Sequence, residues 1–124
     1  MNTDFLFMAD AHIKARTWNN STLLQGDAYA ALDKLRASAL PDTLVIGGDW
    51  YDTVRPSAED VQHSNDFISG FKQVYYVRGN HDGRETCFLD LLPGAQPLLE
   101  TPTIICGHPF CGVHYTSDPA ELLA

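Results

Sequence analysis

A chain of 124 residues that is 44% apolar suits one globular domain and excludes a disordered or fibrous protein. Sixteen Asp and Glu against eight Lys and Arg give a net charge of -8, and no basic cluster marks a general nucleic-acid binder. No apolar run approaches the roughly 20 residues of a membrane span, so no membrane partner is expected.

The first predicted element is "DFLFMAD", residues 4–10. It is a run of apolar and β-favouring residues without strict alternation, the pattern of a parallel strand covered on both faces. The loop after it, "HIKARTWNN", holds Lys14 and Arg16, which read as a solvated loop or as phosphate contacts. Residues 27–39 place Ala28, Ala31, Leu32, Leu35 and Ala39 on a helical stripe. "TLVIGGD", residues 43–49, is the second strand. A second helix spans 57–71, with Val61, Phe67, Ile68 and Phe71 at helical spacing; Ser57 and Asp60 form a capping box at its start, and His63 reads as a surface residue. "QVYYVRG", residues 73–79, is the third strand. The alternation predicts an α/β fold, a mostly parallel sheet flanked by helices with right-handed crossovers.

Beyond Gly83, "RETCFLDLL" predicts a short helix ending at Pro93-Gly94, and "TPTIICG" one more strand running on into "FCGVHYT". Asp118, Pro119 and Glu121 carry helix-start signals, yet the six residues Pro119 to Ala124 are few for the cost of helix nucleation. Residues 1–124 are therefore expected to form a single domain that is incomplete at its C-terminus. Met1 to Asp10 lack a basic start, which does not suit a secretion signal. Cys87, Cys106 and Cys111 include no C-x-x-C pair, so reduced thiols and a cytoplasmic setting are expected.

All three strands end in polar donors: Asp10 and His12 after the first, Asp49 and Asp52 after the second, Asn80, His81 and Asp82 after the third. The carboxyl ends of parallel strands share one edge of the sheet, where ligands bind, so the three sets converge. Asp10 and His12 are two apart and would point to one side of a continuing strand. Mixed oxygen and nitrogen donors suit manganese, iron or zinc better than calcium. Gly47 and Gly48 permit a sharp turn that brings Asp49 close to a neighbour, where a central carboxylate could bridge two cations. Asn80 adds an amide oxygen, leaving His81 to face a substrate. Trp50 reads equally as core or as a cleft wall, and Trp18 as a cleft residue.

Asp10-Ala11-His12, Gly47-Gly48-Asp49 and Gly79-Asn80-His81-Asp82 resemble the first three motifs of the calcineurin-like metallophosphoesterases. The stretch "GGDWYDTVRPS" is similar to the second motif of the SbcD-type repair exonucleases. The resemblance covers about residues 4–84 and implies the N-terminal part of the metallophosphoesterase α/β sandwich. It implies hydrolysis of a phosphodiester, DNA among the candidates, with two divalent metal ions, Mn2+ first and Fe or Zn next. By it, Asp10 and His12 hold the first metal, Asp49 bridges both and Asn80 holds the second. His81 is then the general acid or charge stabiliser, Asp82 orients it, and Asp52 is structural support. Two such ions clamp the attacking and leaving oxygens of a phosphoryl centre.

The family's later motifs are not matched. Pro109-Phe110 follows Gly107-His108 where the family has G-H-x-H, so His108 and His114 are expected to be ordinary hydrogen-bonded histidines. The remaining ligands would come from a partner chain or a missing C-terminal region. Two alternatives stay open: an inactive or regulatory binding module, and a response-regulator-like domain, which His12 and the Asn80-His81-Asp82 triplet fit badly.

Overall fold

The computed structural model describes residues 4–14, 27–79 and 88–114. The elements run β1 (Phe5–Met8), α1 (Asp27–Arg36), β2 (Thr43–Ile46), α2 (Ala58–Ile68), β3 (Gln73–Tyr76), a turn of 3-10 helix (Phe88–Leu91), β4 (Ala95–Pro97), β5 (Thr103–Ile105) and β6 (His108–Phe110). β1 to β4 form one sheet in the order β1-β2-β3-β4, every pairing parallel. This is the α/β architecture that the alternation of apolar runs predicts.

Residue parity in the strands separates two cores. Leu44, Ile46, Val74 and Tyr76 face α1 and α2 and pack with Tyr29, Leu32, Phe67, Ile68 and Phe71. Val45 faces the other way, with Phe5 and Tyr75, onto Ile105, Leu98 and Phe110. All four residues of β2 are buried, which is why its sequence is apolar at successive positions.

α2 starts as its sequence predicts. The Asp60 N–H donates to Ser57 Oγ at 3.1 Å and the Ser57 N–H donates to Asp60 Oδ2 at 3.0 Å. His63 is not a free surface residue: its ring stacks on Tyr29, centroids 3.7 Å apart. α1 is shorter than its stripe suggests, and its buried positions are Tyr29 and Leu32, while Ala31 and Ala39 are exposed. An alanine buries too little area to decide which face turns inward; Tyr29 buries far more.

Two features depart from the sequence reading. β4 is a strand that no apolar run announces, because an edge strand of three residues needs no such run; its Pro97 is tolerated at that edge. The stretch read as one continuing strand is an antiparallel hairpin, β5 and β6, turning at Cys106 (φ 52°) and Gly107 (φ 83°). A two-residue turn with both φ values positive suits paired strands, and the usual Asn-Gly signal is here Cys-Gly. The response-regulator alternative also fails on topology. That fold places its first strand inside the sheet, whereas β1 pairs only with β2 among the described strands. Trp18, Arg16, Cys87 and the Asp118 helix start lie outside the described residues.

Candidate metal centre

β1 stops at Met8, but the chains after β1 and β2 stay hydrogen-bonded. Gly47 donates to the Met8 carbonyl at 2.7 Å, Asp10 to that of Gly48 at 3.0 Å, His12 to that of Asp49 at 3.0 Å and Ile13 to that of Trp50 at 2.9 Å. The first two motifs are thus one zipped structure at the carboxyl edge of the sheet.

Asp10 and His12 do not share a side by strand alternation, as their spacing suggests. Both adopt left-handed backbone, φ 57° and 46°, and Asp49 does too, φ 51°. Non-glycine residues take this conformation at a cost that the surrounding hydrogen bonds must offset, and such residues gather at functional sites. The result is a convergence. His12 Nε2 lies 3.8 Å from Asp10 Oδ1 and 4.0 Å from Asp49 Oδ2, and one donor atom from each residue falls within 4.8 Å of the others.

Gly48 and Gly79 make the approach possible. Gly48 has φ 102°, and a Cβ there would lie 2.9 Å from the Gly79 nitrogen. A Cβ on Gly79 would lie 2.2 Å from Asp49 Oδ1. The third strand's loop therefore presses its bare backbone against the central carboxylate, as the glycines of the second motif lead one to expect.

The donor set fits a divalent transition metal. Ligand bonds of ~2.0–2.2 Å put the donors of one coordination shell at most ~4.4 Å apart, and both His12 separations fall inside that limit. His12 turns its other nitrogen away: Nδ1 lies 3.3 Å from Asp52 Oδ1. With Nδ1–H donating there, the Nε2 lone pair is left facing Asp10 and Asp49. Asp52 Oδ2 is 3.6 Å from Lys14 Nζ. Asp52 is thus the supporting residue its position suggests. Lys14 is held by Asp52 rather than standing in a solvated loop, a role no local pattern signals.

Asn80, His81 and Asp82 lie outside the described residues, so the third motif is represented by Gly79. Trp50 is core: it is fully buried, its indole N–H donates to Ser64 Oγ at 2.7 Å, and it forms no cleft wall. His108 is an exposed residue of β6 beside the Phe5 ring. His114 uses both ring nitrogens, on the Arg78 N–H at 3.1 Å and the Leu98 carbonyl at 2.8 Å. Neither belongs to the donor cluster, as the sequence reading expects.

The strand-end loops thus gather an imidazole and two carboxylates at one edge of a parallel α/β sheet, a group with the donors to hold a metal ion. A family model described as calcineurin-like phosphoesterase matches residues 3–112, and the chain belongs to that family. The family is described as one of phosphoesterases. The chain is also similar to the DNA double-strand break repair protein Mre11 of Nanoarchaeum equitans, 29% identical over 85 residues. That match takes in 63% of this chain and 23% of the relative. No helix among the described residues is long and apolar enough to cross a membrane.

Proposed function

We propose that this chain forms part of a nuclease-like phosphodiesterase centre that uses two divalent metal ions, Mn2+ foremost. The observation that carries the reading is the clustering of Asp10, His12 and Asp49, with donor atoms within 4.8 Å of one another at the sheet edge. Asp10 and His12 would hold one ion, Asp49 would bridge, and Asn80 would hold the other. The bound ions would supply Lewis-acid stabilisation of charge on the phosphoryl oxygens.

The chain's own residues do the rest. Asp52 keeps His12 in the tautomer that offers Nε2. His81 gives a proton to the leaving oxygen or faces the charge that builds on the phosphate, and Asp82 orients it. The similarity to a protein named for DNA double-strand break repair supports DNA as the phosphodiester. Ligands beyond the third motif would come from a further region of the same domain or from a partner chain, in the reducing cytoplasmic setting that the cysteine content suits.

The test is Mn2+-dependent hydrolysis of bis(p-nitrophenyl) phosphate and of a DNA oligonucleotide by the wild-type chain and by Asp49→Asn. The expected result is turnover that falls in the variant by more than the ~10–100-fold that loss of an outer-shell partner costs. Mn2+ bound without turnover in either substrate would assign the chain to the alternative, a regulatory or inactive binding module.

A further inference from the structure

His114 stands at a break in the main sheet. β3 and β4 pair with Tyr76 opposite Pro97, and the Leu98 N–H donates to the Tyr76 carbonyl at 2.8 Å. In a parallel ladder the next bond would run from the Arg78 N–H to the Leu98 carbonyl. Those are the two groups that His114 occupies. Its Nδ1 accepts from the Arg78 N–H at 3.1 Å, and its Nε2 lies 2.8 Å from the Leu98 carbonyl oxygen. An imidazole is inserted where a ladder hydrogen bond would have been.

The chemistry fixes the form of the ring. A backbone N–H needs an acceptor and a carbonyl needs a donor, so Nδ1 is bare and Nε2 carries the proton. The Tyr76 ring meets the imidazole edge-on, centroids 6.3 Å apart. The Arg78 side chain is tied separately, Nη2 to Asp90 Oδ2 at 2.6 Å, and the Tyr76 hydroxyl donates to the other Asp90 oxygen. Arg78 is followed by Gly79, whose backbone lies against Asp49 so closely that a Cβ would meet the Asp49 nitrogen at 2.6 Å.

We propose that His114 is a positioning residue for the metal centre: as a neutral bridge between the ends of β3 and β4, it holds the Arg78–Gly79 backbone against Asp49. The inference rests on the metal-centre reading above. It gives His114 a role 65 positions from the carboxylate it steadies (114 minus 49) without making it a ligand.

Isothermal titration of the full chain with Mn2+ tests it, alongside amide hydrogen exchange at Arg78. His114→Phe keeps a ring against Tyr76 and loses both nitrogens. His114→Gln keeps one acceptor and one donor. The Phe variant should bind Mn2+ about 10-fold more weakly, the scale of an outer-shell loss, and its Arg78 amide should exchange faster. The Gln variant should recover most of both. Unchanged affinity in His114→Phe overturns the proposal, and so does an equal loss in a folded His114→Gln, which would show that the two hydrogen bonds are not what supports the site. Should His114→Phe not fold, His114→Leu, which also lacks both nitrogens, takes its place, and unchanged affinity there overturns the proposal. Asp49→Asn is the control for the site: a wild-type chain that binds no Mn2+ overturns the metal reading, and this proposal with it, whereas Mn2+ binding that Asp49→Asn abolishes and His114→Phe leaves at wild-type affinity overturns the proposal alone.

Discussion

His12 is committed by its neighbours on both sides. Asp52 takes Nδ1, and Nε2 is left 3.8 Å from Asp10 and 4.0 Å from Asp49. Lys14 in turn holds the second Asp52 oxygen at 3.6 Å. Surface ion pairs of this kind add little to stability, so the arrangement is better understood as orientation than as glue. Asp52→Asn keeps an acceptor but loses the charge that favours Nδ1–H. It should weaken Mn2+ binding about 10-fold while leaving the melting temperature nearly unchanged. Titration calorimetry beside a thermal melt checks both halves; equal affinity would show that Asp52 does not set the ring. Asp10, His12, Asp49 and Asp52 are legible as neighbours at one sheet edge, because each follows an apolar run that reads as a strand. Lys14 is not legible as their support, since nothing local says that its ammonium returns to a residue 38 positions later in the chain (52 minus 14).

At the scale of elements, a buried polar contact joins α1 and α2. The Tyr29 hydroxyl donates to Asp60 Oδ1, and the same carboxylate caps α2 through Ser57. His63 stacks on the Tyr29 ring. Burial raises the Tyr29 pKa well above the ordinary tyrosine value, and the Asp60 hydrogen bond and charge push it further the same way. The folded protein therefore holds this proton more tightly than the unfolded chain. The stability it contributes is complete below about pH 10, the unfolded value, and is lost as pH rises beyond it. Tyr29→Phe should cost about 1.5–3 kcal/mol at neutral pH, the range for a hydrogen bond to a charged group. Its stability should then fall less than that of the wild type between about pH 8 and pH 11. Urea denaturation at the two pH values measures the difference; parallel losses would remove Tyr29 as the cause. Sequence alone shows the capping box, because its two residues are three apart. It does not show the Tyr29 contact, which joins two helices 31 positions apart.

The whole molecule is asymmetric about its sheet. One face is covered by both helices, and Leu44 on that face is fully buried. The other is covered by the β5–β6 hairpin over Val45 and Tyr75, and Phe7 on β1 remains 57% exposed. Leu44→Ala should therefore cost about 2–5 kcal/mol, the range for a core leucine. Phe7→Ala should cost less than about 1 kcal/mol, because most of its side chain is already in water. Chemical denaturation of the two variants separates these values; a Phe7 loss as large as that of Leu44 would mean that the second face is covered in solution.

By itself the sequence determined the parallel α/β sheet and the edge where chemistry would sit. Apolar runs without alternation favour parallel strands, although β1 leaves Phe7 exposed on the second face, and parallel strands deliver all their carboxyl ends to one side; both are local patterns read in order. It also places Asp10, His12 and Asp49 at one edge; the spacing of Asp10 and His12 suggests strand alternation, whereas left-handed backbone at all three residues brings them together. Only the tertiary structure decided which groups complete the support. β4, the β5–β6 turn, the Lys14–Asp52 pair and the His114 bridge each depend on backbone or side-chain groups far apart in the chain. Such contacts leave no periodicity behind, because a hydrogen bond between distant residues constrains geometry and not spacing.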